Sequence, residues 1–292
     1  MICEKIVGNL SRCLYHQPRY PGEVDRLEAK PYLRLPFRNE DLSRAQIRPS
    51  QLGITSKINY SISEGWYYSR DVTKILPYRH LAVDFALPYG FPVAAPCDGY
   101  AISSYYSYPL FDSRENVKKV DGKVFNFGIG YFVQIYNPKV NRFIQVGHLS
   151  DIYKSIPFSV PVRNRNRWEP TNNILTTKEL MSGDNQNVVY VKTGDTVGYV
   201  GYSGLCYEDD YKHGYVRPYK IDPQKIRTWS IPHIHMDEFQ RNYETGKKDW
   251  RRDPYDIYSW RNFYPTHTNS VPIGNNPLFF TDSNNRPIFA DS

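Results

Sequence analysis

The pattern of apolar and turn-forming residues in this 292-residue chain changes near residue 75, and this change limits the folds that the chain can adopt. From there on, short apolar runs rich in Val, Ile, Tyr and Phe alternate with Gly, Pro and Asp-Gly, as in CDGYAISSYY, GIGYFVQIYN and VKTGDTVGYVGYSG. Branched and aromatic residues in short runs between turn formers are typical of β-strands and hairpins. The pattern predicts a mainly β protein built on an antiparallel sheet or sandwich.

The regions before and after these short apolar runs lack any sustained apolar period. We therefore expect an N-terminal extension over residues 1–74, a β-domain over residues 75–240, and a C-terminal extension over residues 241–292 that packs on the domain. Both extensions are predicted to be partly helical or irregular. Within the β-domain, residues 151–190 and 205–231 are long, polar and nonperiodic. Such stretches predict loop insertions that are either mobile or form walls of a functional site.

The composition places weak limits on partners. A net charge of +7 and a pI near 9.0 favour an anionic partner such as nucleic acid, an acidic membrane or an acidic cell-wall polymer. Basic residues cluster with Trp at residues 163–168 and 247–253, which could bind glycans or nucleic acid. Solvated loops are the commoner reading of such clusters, so no nucleic-acid partner is expected.

Cysteines and apolar stretches decide neither compartment nor chemistry. The four cysteines lie far apart without C-x-x-C spacing, which excludes a disulfide scaffold and a cysteine metal motif. Glu4 and Lys5 interrupt the first residues where a signal peptide needs an apolar core, so no signal peptide is visible. No stretch approaches the roughly 18 apolar residues of a membrane span.

The most specific motif is the pair His233 and His235. In a strand the two side chains point the same way, while Ile234 and Met236 would face a core. Chance alone gives roughly 0.17 such pairs in this chain, against roughly 0.7 for a His and an acidic residue spaced like His80 and Asp84. The second pair shares one face of a strand or a helix, but its spacing alone indicates little.

Four further histidines carry less information. His148 stands at the end of an apolar run, directly before a Leu-Ser turn, and by itself is an ordinary strand-end histidine. His213, beside two aspartates, could form a second metal site, although a solvated loop is favoured. His16 and His267 lie in irregular stretches and are assigned no role.

Taken in order, four segments resemble the lysostaphin and LytM type of zinc endopeptidase, which cleaves peptide bonds in bacterial peptidoglycan. They are RHLAVDFALPYGFPVAAPCDGYA, with H-x-x-x-D and a P-x-D-G hairpin; FVQIYNPKVNRFIQVGHLS, ending in H-L-S; VKTGDTVGYVGYSG; and IPHIHMDEF, with P-H-x-H. The resemblance covers roughly residues 75–240. It implies the duplicated-hybrid-motif fold, a peptidoglycan peptide as substrate, and a location in the cell envelope or outside the cell.

Carried over position by position, the resemblance implies that His80, Asp84 and His235 bind one catalytic Zn²⁺. It also implies that His148 and His233 flank the fourth position, where they take the proton of water and stabilise the oxyanion. Three N/O ligands without cysteine suit a hydrolytic zinc site, since structural sites close with four protein ligands. Which of the two flanking histidines is the base stays open.

The chain departs from the family pattern in two respects. An alanine, Ala82, stands between the first two ligands where the family usually has glycine, so the backbone there must do without positive φ. The connections after His148 and before Pro232 are much longer than usual, and in this fold they form the walls of the substrate groove.

Three other functions remain open from the sequence. A noncatalytic or latent relative would bind cell-wall peptide or regulate another hydrolase, and long insertions that block the groove would favour it. A phosphoryl relay through paired histidines, as in the sugar-phosphotransferase carriers that share this β architecture, leaves Asp84 without a task. Nucleic-acid binding rests on charge and the basic clusters alone, and it predicts a steep dependence of affinity on salt.

Overall fold

The computed structural model of the protein describes residues 30–46, 62–65, 68–69, 80–109, 116, 119–120, 122–124, 126–164, 167–170, 173–183, 186–205, 231–243, 245–246, 248–256, 276–283 and 286–292. The strands are β1 (Ile62–Gly65), β2 (Tyr68–Ser69), β3 (Val83–Ala86), β4 (Pro92–Ala94), β5 (Gly99–Pro109), β6 (Lys119–Val120), β7 (Lys123–Val124), β8 (Asn126–Asn137), β9 (Arg142–Ile152), β10 (Pro161–Asn164), β11 (Arg167–Pro170), β12 (Val189–Val191), β13 (Thr196–Val200), β14 (His233–Arg241) and β15 (Lys248–Arg252). The helices are α1 (Asn39–Arg44) and α2 (Asn173–Ser182).

One antiparallel sheet dominates the architecture. Its strands follow the order β10-β11-β5-β8-β9-β14-β3-β1-β2, with β15 on β14, β12 on β5, and β13 joining β4 to β9. The long strands β5, β8 and β9 correspond to the runs of Val, Ile, Tyr and Phe in the sequence, as the preference of these residues for pleated, half-buried positions requires. The prediction of a mainly β fold with an antiparallel sheet is confirmed.

The sheet has two faces, and the alternation along β14 shows what each face does. Ile234 and Met236 are fully buried on one face, while His233 and His235 lie on the other. Val83 and Phe85 of β3 join the first two in the same apolar core. The face opposite this core therefore carries the histidines.

Residues near both ends of the chain complete the core behind the sheet. Leu33 forms an isolated parallel bridge with Phe279, and both side chains are fully buried. Other core members from these two regions are Leu35, Phe37, Leu42, Tyr255 and Leu278. Segments without strand-like periodicity thus cover the back of the sheet.

Part of the long polar stretch 151–190 is regular rather than loop. It contains the hairpin β10-β11, which extends the sheet through the pair Trp168 and Ser107, and the ten-residue helix α2. Thr177 and Leu180 are fully buried in α2, so its core-facing stripe is too narrow to show as an apolar period.

Two other sequence expectations meet the structure differently. Within the basic stretch 247–253, residues 248–252 form β15 on β14 instead of a solvated loop, because they complete a hairpin and Lys248 Nζ donates to Asp237 Oδ2 at 2.8 Å. The stretch around His213 lies outside the described residues. Among the helices of the described part, none is long and apolar enough to cross a lipid bilayer.

Candidate active site

The structure brings all five predicted site residues together on one face of the sheet. The strand β14 lies between β3 and β9, and His235 pairs with Asp84 on one side and with Gly147 on the other. His233 enters from the same strand, and His148 belongs to the neighbouring strand β9. His80 lies just before β3, four residues from Asp84.

His80, Asp84 and His235 form the tightest part of this cluster. Asp84 Oδ1 lies 3.2 Å from His80 Nε2 and 3.0 Å from His235 Nδ1. One ligand atom from each of the three residues lies within 4.8 Å of the others. Directly before β3, Ala82 is fully buried and is not among the residues with positive φ, so alanine is accommodated at this position without backbone strain.

Two of the three residues, His80 and Asp84, are buried, and His235 is partly buried. Asp84 Oδ1 is shielded from solvent and has no hydrogen-bond partner, although two imidazole nitrogens lie within 3.2 Å of it. Buried carboxylate oxygens are normally hydrogen-bonded. Two imidazole nitrogens and one carboxylate oxygen that converge within 4.8 Å of one another are a donor set suited to a cation.

Burial and nearby charge set the protonation of the cluster. Burial alone raises the pKa of the Asp84 carboxyl, but three neighbouring histidines outweigh it and hold the pKa well below its usual value. Burial lowers the pKa of His235, although the charge of Asp84 opposes this. Near neutral pH these shifts leave an ionised carboxylate beside a neutral imidazole, the state in which both groups bind a metal.

His148 and His233 lie next to this cluster, with ring centroids 4.7 Å apart. His148 Nδ1 donates to the backbone carbonyl of Ser203 at 2.9 Å, and His233 Nδ1 donates to that of Ile231 at 2.8 Å. A carbonyl can only accept, so in each neutral ring the Nε2 atom carries the free lone pair. His233 Nε2 lies 3.6 Å from Asp84 Oδ2, which shows that this atom faces the cluster.

Burial also affects the protonation of the His148 imidazole. His148 is 5% exposed, and burial together with the charges of His233 and His235 holds its pKa well below the usual value. The imidazole is therefore neutral near pH 7 and able to accept a proton.

The conformation of His148 differs from the sequence prediction of a strand-end residue before a turn. The strand β9 continues to Ile152, and His148 takes φ of 59° within it. Tyr131 pairs with Leu149 while Val133 pairs with Val146, so β9 carries one residue more than β8 between these pairs. This is a β-bulge, which re-aims a side chain without ending the strand.

Sequence reasoning missed several residues that shape the site. The carbonyls of Ser203 and Ile231 orient the two flanking histidines, and only the G-Y-S-G turn signal hinted at the first. A Cβ on Gly147, opposite His235, would collide with the side chain of Ile129. Glycine at this position therefore leaves room for Ile129 beside the candidate metal ligands.

The helix α2 packs on the same face of the sheet as the histidines, against Phe239, which lies four residues along β14 from His235. Phe239 pairs with Phe143 in the same register that pairs His235 with Gly147, so both aromatic rings lie on the face of the histidines. Leu180 of α2 packs against them in a separate small cluster. Part of the long insertion 151–190 thus packs on the sheet face that carries the candidate site.

Comparisons with known proteins were made at the level of sequence families, curated proteins and solved structures. No protein-family model matches the sequence, and no curated protein matches it.

Among solved structures, the chain is similar to the catalytic domain of a prophage-encoded M23 protein, EnpA, from Enterococcus faecalis, at 17% identity and a TM-score of 0.31, over 62% of this chain and 80% of that one. It is similar to the catalytic domain of the antimicrobial peptidase lysostaphin from Staphylococcus simulans, at 16% identity and a TM-score of 0.32, over 66% and 89% of the two chains. It is also similar to a zinc-containing peptidase from Vibrio cholerae, at 15% identity and a TM-score of 0.31, over 72% of this chain and 37% of that one. Of these structures, lysostaphin is a member of the family that the sequence motifs resemble.

Proposed function

We propose that this protein is a zinc-dependent endopeptidase that hydrolyses peptide bonds in the cross-bridge or stem peptide of bacterial peptidoglycan. The observation that carries the proposal is the convergence of His80, Asp84 and His235 beside two further imidazoles with fixed tautomers. The choice of peptidoglycan rests on the motif resemblance over roughly residues 75–240. The basic charge of +7 suits an anionic envelope but is minor support.

The donor set fits Zn²⁺. Zinc accepts imidazole nitrogen and carboxylate oxygen at about 2.0–2.2 Å, so two ligands of a tetrahedral site lie about 3.3–3.6 Å apart. The separations of Asp84 Oδ1 from His80 Nε2 and His235 Nδ1, 3.2 and 3.0 Å, are close to this range. Three ligands also leave the fourth position of a tetrahedron for water or substrate, as hydrolysis requires.

When bound, Zn²⁺ supplies a Lewis acid that polarises the scissile carbonyl and lowers the pKa of water. The chain's own residues do the remaining work. His148 and His233 each commit the proton of Nδ1 to a backbone carbonyl, so their Nε2 atoms are the basic atoms available to the reaction. One imidazole takes the proton of the attacking water, and the resulting imidazolium can give it to the departing amine.

The second imidazole can stabilise the negative charge that develops on the substrate oxygen only in its protonated form, because its Nδ1 already donates to a carbonyl and a proton on Nε2 makes the ring an imidazolium. A donor held in place by its own hydrogen bond needs no reorganisation at the moment of reaction. His233 lies two residues before the ligand His235 on the same strand, and His148 is fixed on the neighbouring strand. The rigid sheet keeps both within reach of one reacting centre.

The decisive experiment measures bound zinc and lysis of purified peptidoglycan for the wild type and three alanine variants. We expect His80→Ala and His235→Ala to lose zinc and activity together. His233→Ala should keep zinc but lose about 10²–10⁴-fold in rate, the usual contribution of a positioned acid or base. His267→Ala removes a histidine without an assigned role and serves as the control, which should match the wild type.

Two outcomes would overturn the proposal. Full lysis by the His235→Ala variant would remove the metal from the mechanism. A wild type that binds zinc stoichiometrically but releases no peptide fragments from peptidoglycan would instead indicate the noncatalytic relative that binds cell-wall peptide or regulates another hydrolase.

A further inference from the structure

The bulge that carries His148 is closed by a side chain from a distant part of the sequence. At the pair Tyr131 and Leu149, the Ser203 hydroxyl lies between the two backbones. The amide of Tyr131 donates to Ser203 Oγ at 2.9 Å, and Ser203 Oγ donates to the carbonyl of Leu149 at 2.7 Å. The hydroxyl thus takes the place of a hydrogen bond between β8 and β9, next to the residue with positive φ.

The backbone carbonyl of the same serine holds the imidazole. Ser203 O accepts from His148 Nδ1 at 2.9 Å, and Ser203 itself is fully buried. Water therefore does not compete for these contacts, and each of them has a fixed partner. One residue restrains both the backbone and the side-chain tautomer of His148.

The segment that contains Ser203 is itself tightly held. A Cβ added to Gly130 would collide with the Ser203 carbonyl and hydroxyl, and one added to Gly204 would collide with the carbonyl of Gly128 and the backbone of Gly130. Close backbone approach of this kind is possible only with glycine. The carbonyl of Ser203 is thereby fixed relative to β8.

We propose that Ser203 is a positioning residue that sets both the orientation and the tautomer of His148 for the reaction. The inference rests on the proposed function for its catalytic consequence, but not for its geometric content. The hydroxyl stabilises the bulge from which His148 projects, and the carbonyl keeps the proton on Nδ1. The lone pair then lies on Nε2, in a ring whose centroid is 5.5 Å from that of the candidate ligand His235.

The direct test observes the His148 ring by NMR. Long-range ¹⁵N–¹H correlation spectra of the ¹⁵N-labelled full chain, zinc-free and zinc-loaded, are recorded at pH 8, where free histidine is neutral. A His148→Asn variant assigns the signals. We expect the wild type to show a single tautomer with the proton on Nδ1, and Ser203→Ala to show mixed tautomers or exchange broadening.

Ser103→Ala is the matched control. Ser103 is also fully buried in a strand, and its hydroxyl donates to the carbonyl of Pro157 at 2.6 Å, but its strand β5 is separated from the strand of His148 by β8. This variant should keep the wild-type tautomer. In peptidoglycan hydrolysis, Ser203→Ala should retain zinc and lose about 10²-fold in turnover, as misplacement of a catalytic group by about 1 Å does, while Ser103→Ala should stay near the wild-type rate.

The proposal fails if the wild-type ring carries its proton on Nε2, whatever the variants do. It also fails if Ser203→Ala shows the wild-type tautomer and the turnover of Ser103→Ala. If Ser203→Ala does not fold, the wild-type tautomer together with Ser203→Thr, which retains the hydroxyl and should retain the tautomer, decides the question. A wild type without peptidase activity would refute the proposed function but leave the tautomer result standing.

Discussion

Replacing Glu238 with alanine is expected to destabilise the protein by about 3–5 kcal/mol, the cost of breaking a buried ion pair by removing one partner. Glu238 lies on β14 on the face opposite the histidines and is fully buried, and Arg142 is 2% exposed. Arg142 Nε donates to Glu238 Oε1, and Arg142 Nη2 donates to Glu238 Oε2, both at 2.6 Å. Tyr32 from the N-terminal region donates to the same carboxylate at 2.7 Å.

Two routes lead to a similar magnitude. The two hydrogen bonds from the guanidinium are charge-assisted, and each contributes about 1.5–3 kcal/mol. Removing the carboxylate also leaves the Arg142 charge buried without its counter-charge, which is the origin of the large penalty for half of a broken pair. Burial of the Tyr32 hydroxyl beside Glu238 raises its pKa well above 10, so this neutral donor would lose its partner as well.

The assay is urea unfolding of the zinc-free protein at pH 7. The slope of the free energy of unfolding against urea concentration should be the same for all variants. Replacing both partners with leucine should cost much less than Glu238→Ala, because no uncompensated charge remains. The control is Asp282→Ala, which breaks the half-exposed pair with Arg286 and should cost about 0–1 kcal/mol. A cost for Glu238→Ala no larger than that for Asp282→Ala would refute the reasoning.

Three further outcomes are expected. Gly130→Ala places a side chain at φ of 65° and against the Ser203 carbonyl, so the free energy of unfolding in urea should fall by about 1–3 kcal/mol. The control Gly122→Ala, where φ is 79° but nothing lies within 4 Å, should lose less. Equal losses for the two variants would contradict the contact between residue 130 and Ser203. Burial raises the pKa of the Cys97 thiol, so peptide-level mass spectrometry should find it unalkylated by iodoacetamide at pH 8 in the folded protein and alkylated in urea; rapid labelling in the folded state would contradict its burial. Zinc at 100 times its Kd should stabilise the wild type by about 2.7 kcal/mol in thermal or urea unfolding, whereas Asp84→Asn should gain much less, and an equal gain would place the metal elsewhere.

The part of the site that could be predicted from the sequence is the part fixed by strand periodicity. In H-I-H the alternation of two histidines with apolar residues specified a face, and β14 presents His233 and His235 on one side with Ile234 buried on the other. The partner Asp84 lies directly across from His235 because β3 pairs with β14 in antiparallel register. Short-range pattern and family order were enough to choose these residues.

The remaining features depend on contacts between distant segments, which local pattern does not encode. The positive φ of His148 has no sequence signal, because the residue type that favours it is glycine. Its support comes from Ser203, 55 residues further along the chain. Likewise, the bridge between Leu33 and Phe279 joins the two ends of the chain, neither of which shows a strand period.

The alternation along β14 separates chemistry from stability within a single strand. Odd-numbered His233 and His235 face the candidate site, while even-numbered Glu238 is held from behind by Arg142 and by Tyr32 from outside the sheet. A strand that must hold two imidazoles within about 0.5 Å of a productive geometry needs such rigid support. Substitutions at even positions should therefore lower stability before they alter the reaction, and substitutions at odd positions near the site should do the reverse. Measuring zinc affinity and the free energy of unfolding for variants at even and odd positions of β14 tests this. If β14 carries the site, odd positions near the site lose zinc affinity first and even positions lose stability first. If β14 only completes the sheet, the two groups of variants do not differ in this way.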